Sequence, residues 1–182
     1  MLNRITLGLI FAASILSLTV QAEDSLGPRG PFVTVAPIPL AAITRGKPET
    51  VELQFRVRPG FHINSNRPSS KVLIPTALRL TPPTDVVIGR ITYPEAQEMN
   101  FPFAPDDKLS VYTGDFSVSV VVRPLVHMQA GKYAVHGQLK YQACDNAACY
   151  PPKLLPVNFD IQVLKNPVAP RRNPAQSPHV HQ

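Results

Sequence analysis

Hydrophobic and polar residues alternate one for one along four stretches of this chain. Val51, Leu53, Phe55 and Val57 are interleaved with Glu52, Gln54, Arg56 and Arg58, and Phe116, Val118, Val120 and Val122 are set against Ser117 and Ser119. Tyr133, Val135, Leu139 and Tyr141 alternate with Ala134, His136, Gln138 and Lys140. Val157, Phe159, Ile161 and Val163 alternate with Asn158, Asp160 and Gln162. A period of two puts one set of side chains on a buried face and the other in water, so each stretch predicts a half-buried strand. Shorter candidates are Phe32 to Ile38, Ala77 to Leu80 and Val86 to Tyr93. Beyond residue 22 no stretch sustains the helical period of about 3.6 residues.

About seven short strands separated by turn signals predict an all-β antiparallel sandwich. The turn signals include Pro59-Gly60, Pro82-Pro83 and Thr113-Gly114-Asp115, within a chain that carries 21 prolines. With no Trp, the Cys…Trp…Cys spacing of antibody domains is absent. Two stretches resist the strand pattern and are expected as loops. Gly60 to Lys71 is polar, and Glu95 to Leu109 is a long segment with two exposed aromatics, Phe101 and Phe103. From Asn166 onward the Pro-rich tail has no apolar periodicity and is expected to be disordered.

The beginning of the chain changes where the sandwich is expected to work. Arg4 precedes an apolar run from Ile5 to Val20, and Val20-Gln21-Ala22 gives the small-x-small pattern of a cleavage site. Cleavage after Ala22 leaves one domain over residues 23–165, followed by the tail over 166–182. The competing reading is an uncleaved anchor helix, for which the run is short. No later segment approaches the ~18 apolar residues of a membrane helix. The mature protein is therefore expected to be a soluble monomer on the oxidising side of a membrane, without stable membrane insertion. The net charge of +6 is scattered, with Arg171-Arg172 the densest pair. A basic stripe with interleaved aromatics is missing, which argues against nucleic acid as a partner.

Against that compartment the two cysteines stand out. Cys144 and Cys149 lie in YQACDNAACYPPK, after the Tyr133–Gln142 strand and before the last one. A turn between antiparallel neighbours brings their Cα atoms within the roughly 4.4–6.8 Å of a disulfide. Closing so short a loop stabilises a fold by only about 2 kcal/mol on the chain-entropy model, against about 4.7 for a loop of a hundred residues. The spacing suits exchange chemistry better than stapling, yet a structural hairpin disulfide in a non-catalytic binding module stays open beside it. Asp145 adjoins Cys144, and Lys140 and Lys153 are the nearest cations in sequence, so nothing lowers either thiol pKa. Such a pair works as a relay driven by a more reactive partner thiol, with Tyr141, Tyr150 and Pro151 as a flanking docking surface.

Other chemistry finds less support. His62 follows a Pro-Gly turn and reads as a loop histidine satisfied by backbone, or as a group near the cysteines that tunes them. His127 and His136 read as surface or strand residues. His179 and His181, with the cysteines, are the ligands of a third reading, a periplasmic copper or zinc binder, although no histidine spacing or second C-x-x-C supports it. A nucleophile elbow and a phosphate-binding glycine loop are both missing, and no cofactor is expected.

YQACDNAACYPPK resembles the cysteine segment of the periplasmic N-terminal domain of the thiol:disulfide interchange protein DsbD. GFHINSNRP, KVLIPTALRL and ITYPEAQEM resemble further segments in the family's order, so the likeness runs from about Phe32 to Val163. The resemblance implies an immunoglobulin-like sandwich that relays reducing equivalents between a membrane or thioredoxin-like electron donor and oxidised periplasmic proteins, with thioredoxin-like periplasmic proteins and a membrane electron-transfer protein as partners, in a circuit that includes cytochrome c biogenesis. It implies Cys149 as the sulfur that exchanges with partners and Cys144 as its resolving mate. It also implies an aromatic cap loop over the cysteines, a position matched by Phe101 and Phe103. Full-length family members continue into membrane and thioredoxin-like domains, so separate proteins are expected to supply those steps here.

Overall fold

The computed structural model of the chain describes residues 30–166. The proposed signal segment and Arg171, Arg172, His179 and His181 lie outside the described residues. Among the described residues every regular element is a strand, and no helix is long and apolar enough to cross a membrane. Over these residues the architecture is an all-β sandwich, antiparallel in every pairing but that of β2 (Ala41–Thr44) with β13 (Phe159–Leu164).

One sheet has the order β1 (Val33–Val35), β3 (Glu49–Val57), β9 (Asp115–Pro124), β6 (Val86–Thr92). Its centre is the long β3–β9 pairing, which runs in register from Glu49 opposite Val122 to Arg56 opposite Asp115. That register puts Val51, Leu53, Phe55 and Val57 with Phe116, Val118, Val120 and Val122 on the inner face, all of them buried. Phe55 and Phe116 stack with ring centroids 5.2 Å apart. The outer face carries the polar partners. Arg56 forks onto the Asp115 carboxylate, and Ser117 donates to Glu52 at 2.6 Å. Both pairs are solvent-exposed and contribute little beyond setting the register.

The facing sheet is built on β10 (Gly131–Tyr141). Its first half pairs with β13 (Phe159–Leu164), and its second half with β12 (Lys153–Pro156) on the same side and β5 (Ala77–Thr81) on the other. Parallel pairing of β2 (Ala41–Thr44) with β13 closes that edge. Val157, expected within the last strand, falls in the break between β12 and β13. It is still fully buried, with its N–H on the Gly137 carbonyl at 2.9 Å.

Both segments expected as loops contain strands. Gly60 to Lys71 holds β4 (His62–Asn64), and Glu95 to Leu109 forms the hairpin of β7 (Gln97–Phe101) with β8 (Ala104–Tyr112). With β11 (Ala143–Cys144) they make a third, small sheet in the order β11-β4-β8-β7. Around β4, buried polar side chains find partners. Asn64 Nδ2 donates to the Ile74 carbonyl at 3.0 Å and to Gln142 Oε1 at 3.1 Å. The Ser65 and Ser110 hydroxyls pair at 3.0 Å, and the Thr76 hydroxyl donates to the Asn64 carbonyl. Hydrogen bonds of this kind offset the cost of burying polar groups and hold the segment in place.

Gly137 marks where β10 turns from β13 to β5. A Cβ added there would collide with the Arg79 carbonyl oxygen and lie 3.1 Å from the Leu80 Cα, both backbone atoms. Gly137→Ala is therefore expected to destabilise the fold by about 1–3 kcal/mol through overpacking. A loss of urea midpoint at unchanged slope measures it, whereas an unchanged midpoint would mean that β5 moves aside freely.

Candidate functional site

The two cysteines sit where the small sheet joins the sandwich. β11 follows β10 after one residue and pairs antiparallel with β4, Ala143 opposite Ile63 and Cys144 opposite His62. Side chains alternate between faces along a strand. Ile63 and Ala143 pack into the main core, and Cys144 and His62 therefore point to the other side. On that side Phe101, Leu109 and Val111, with Leu73 against them, form a second small apolar cluster.

Cys149 faces Cys144 across an isolated antiparallel bridge, and the two form a disulfide with a Cα–Cα distance of 3.9 Å. The separation is shorter than the expected range, and the residues are directly opposed rather than merely joined by a turn. The four residues between them are locked by Asp145. Its carboxylate accepts the Tyr150 hydroxyl proton at 2.5 Å and the N–H groups of Ala147 and Ala148 at 2.8 and 2.9 Å. The Asp145 N–H closes the turn on the Ala148 carbonyl at 3.0 Å, and the Tyr150 N–H returns to the Ala143 carbonyl at 2.8 Å. The Tyr150 hydroxyl, and after it the two N–H groups, hold the Asp145 carboxyl below the usual carboxylate range. The same contact with Asp145 pushes the Tyr150 hydroxyl up.

The two sulfurs live in different surroundings. Cys144 is completely buried, whereas Cys149 is exposed. Next to Cys149, Pro151 is exposed, and the half-buried Tyr150 ring leans on Phe32 and Phe61 at 5.3 and 6.0 Å. Tyr141 is different from the docking role expected of it. It is 2% exposed and belongs to the core, its hydroxyl pushed up by burial. The Lys153 ammonium lies 4.3 Å above the Phe32 ring and donates to the Gly30 carbonyl.

Phe101 and Phe103, expected together on an exposed loop, separate. Phe101 ends β7 and is 6% exposed, while Phe103 in the turn of the hairpin is 38% exposed. Both rings lie parallel to the His62 imidazole. Phe101 stacks on it at 3.8 Å between centroids, and Phe103 lies to the side, 5.5 Å from Phe101 and 6.2 Å from His62. His62 itself does not lie in a loop. It is a strand residue, 3% exposed, and its Nε2 has no hydrogen-bond partner. Burial pushes its pKa down to about 4, against the opposing pull of the Asp145 charge. A cleft of about 190 Å³, lined by His62, Met99, Phe101, Thr113 and Asn146 among others, lies between the hairpin and the disulfide loop.

The remaining histidines are elsewhere. His127 pairs with Asp85 at 3.0 Å and His136 with the Asn158 side chain at 3.0 Å, both in the open. Among the described residues no three His, Cys, Asp or Glu side chains gather as metal ligands, so the copper or zinc reading gains no ligand set there. Composition and spacing give no sign that His62 and Phe101 meet. The one cue in the sequence is the GFHINSNRP segment itself.

The family model described as the N-terminal part of the thiol:disulfide interchange protein DsbD matches residues 32–158. Similar solved structures include the DsbD N-terminal domain of Neisseria meningitidis in the reduced form, 21% identical over 63% of this chain and 77% of that one, TM-score 0.40. Another is the N-terminal periplasmic domain of ScsB from Proteus mirabilis, 11% identical over 71% of this chain and 44% of that one, TM-score 0.45. A third is the complex between the DsbD and PilB N-terminal domains from Neisseria meningitidis, 20% identical over 61% of this chain and 73% of the other, TM-score 0.37. No curated protein sequence matches the chain.

His62 also gives the site a pH signature. In the folded protein it stays neutral down to about pH 4, whereas the unfolded chain takes up the proton near the ordinary value of 6.5. The unfolded state binds more protons in that window, so stability rises with pH across it. The contribution is whole above about pH 6.5 and lost as pH falls toward 4, on the order of 3 kcal/mol. Urea unfolding at about pH 7 and pH 4.5 is expected to show a larger loss in wild type than in His62→Leu; equal losses would contradict the depressed value.

Proposed function

The chain belongs to the family of the N-terminal domain of the thiol:disulfide interchange protein DsbD, and from that membership we propose that Cys149 exchanges with partners and Cys144 resolves. Thiol–disulfide exchange in the periplasm is the activity of this family and of its Cys144–Cys149 pair. The observation that supports the unequal roles is the unequal exposure of the two sulfurs, Cys149 open and Cys144 fully buried. An in-line attack needs access to the sulfur attacked and none to the one that leaves.

The proposed cycle balances in thiols and disulfides. A donor thiolate attacks Cys149 Sγ, the bonding electron pair of the disulfide departs on Cys144 Sγ, and a mixed disulfide with Cys149 forms. The donor's second thiol resolves it and leaves both cysteines reduced. The Cys149 thiolate then attacks an oxidised client, and Cys144 displaces the client thiol to restore the Cys144–Cys149 bond. One turn moves two electrons.

The donor and client in this reading are thioredoxin-like periplasmic proteins, supplied with electrons by a membrane electron-transfer protein. Membership of a thiol:disulfide interchange family supports partners that themselves carry exchanging thiols. The Neisseria DsbD N-terminal domain, for its part, is solved in complex with the PilB N-terminal domain. Delivery to the periplasm rests on the leader, with cleavage after Ala22 and the working domain over residues 23–165. The β7–β8 hairpin serves as the cap, Phe101 anchoring it and Phe103 covering the approach to the disulfide loop. Tyr150 and Pro151, with the exposed Met99 and Phe103, form the surface a partner meets.

Cys144→Ser is expected to accumulate mixed disulfides through Cys149 when the chain meets an oxidised thioredoxin-like protein, and Cys149→Ser to accumulate none. Non-reducing electrophoresis reads both, and the reverse pattern would exchange the two roles. The reduction potential of the pair is expected above the −300 mV or so that marks inert structural disulfides. A value well below that would leave a structural bond and end the relay reading. Phe103→Ala is expected to speed reduction by a small dithiol several-fold with little change in stability, since its ring is partly exposed.

A further inference from the structure

His62, Cys144 and Cys149 stand in one row, across the strands β4 and β11 and the isolated bridge beside them. His62 is directly opposite Cys144, and Cys144 is directly opposite Cys149. Directly opposed residues of antiparallel strands share a face, with Cβ atoms roughly 4.5–5.5 Å apart. The imidazole's neighbour in the row is therefore the buried sulfur. Its other neighbours are the Phe101 and Phe103 rings.

A buried imidazole nitrogen without a partner is costly, and few native structures leave one without a reason. Here Nε2 has no partner in the disulfide form. The complementary deficit appears when the disulfide opens. Cys144 Sγ then carries the departing electron pair inside a fully buried site, and burial raises the pKa of a thiol. The charged side chain at the row, Asp145, is negative and committed to its own loop, and Lys153 is engaged by Phe32 and Gly30. From the cap hairpin Met99, Phe101 and Phe103 face the site, and all are uncharged.

We propose that His62 is the hydrogen-bond donor to the Cys144 sulfur once the disulfide opens. The proposal rests on the exchange reading of the pair and adds a group to it. In the step, the partner thiolate bonds to Cys149 Sγ, the electron pair leaves on Cys144 Sγ, and the Nε2–H of the neutral imidazole donates to that thiolate. No proton or electron is transferred to His62. A lower pKa for the leaving thiol makes it depart faster, so His62 accelerates opening of the bond.

The test uses the full-length chain with Cys149→Ser, where Cys144 is the sole thiol, and titrates it by the ultraviolet absorbance of the thiolate. Adding His62→Leu is expected to raise the Cys144 pKa by about one unit, the scale of one hydrogen bond to a charged group. His62→Gln, which keeps an N–H donor, is expected to recover much of that shift. With both cysteines present, His62→Leu is expected to slow reduction by dithiothreitol roughly threefold. A Cys144 pKa left unchanged by His62→Leu would overturn the proposal. Should His62→Leu fail to fold, the nitrogen-15 resonance of His62 Nε2 in the wild-type chain decides. It is expected to move on reduction, and an unmoved resonance would also overturn the proposal. Failure here is distinct from failure of the relay: a wild-type disulfide that resists every dithiol ends the exchange reading, whereas normal exchange with an unaltered thiol pKa ends only the role of His62.

Discussion

The pairing of β11 with β4 is the constraint on which the site depends. Its register is fixed from the inside, because Ile63 and Ala143 are the pair that the main core buries. With a side-chain period of two, that choice sends Cys144 and His62 to the opposite face together. A slip of one residue would carry Cys144 into the main core and Ala143 to the site. On its other edge β4 holds Ile63 opposite the buried Tyr112 of β8, so the β7–β8 hairpin is brought in by the same strand. Burial of a few apolar side chains on one face thus positions a sulfur, an imidazole and a cap on the other.

The disulfide contributes little to that arrangement. A loop this short adds only about 2 kcal/mol on the chain-entropy model, whereas two sheets bury a continuous core that does not include the loop between the cysteines. The loop is held by its own hydrogen bonds to Asp145, none of which involves a sulfur atom. The hydrogen bonds that hold the loop therefore do not run through the disulfide. A relay needs that property, since both redox forms must present the same surface to successive partners.

The long strands were legible because their alternation is strict and their burial follows it. Val51 to Val57 and Phe116 to Val122 are placed as their pattern requires. The alternation even contains the correction for Tyr141: it continues the buried series Val135 and Leu139, and that series, rather than its place near a cysteine, decides where the ring points. The small sheet was not legible. His62 and Asn64 are polar yet buried on either side of Ile63, and β7 is exposed at every residue but Phe101, so neither strand alternates. The partners of β4 lie far along the chain, in Gln142 and Cys144, and no local pattern records them. The cysteine segment carried the chemistry in its spacing. That Cys144 would be buried and Cys149 open depended on a register that only the fold fixes.

A group that stabilises the departing Cys144 sulfur must not hold it too well. In the proposed cycle the same sulfur attacks later and restores the disulfide, and nucleophilicity falls as thiol pKa falls. An imidazolium beside it would form an ion pair in a dry site, deepen the thiolate and shift the pair toward the reduced form. A neutral N–H donor gives a smaller stabilisation that serves both directions. What keeps the imidazole neutral is burial beneath Phe101, stacked at 3.8 Å, against a pull from Asp145 in the other direction. If Phe101 caps the site as proposed, it acts on the chemistry through His62: by excluding water from the imidazole it sets the charge of the group proposed to meet Cys144, and with it the balance between release and return.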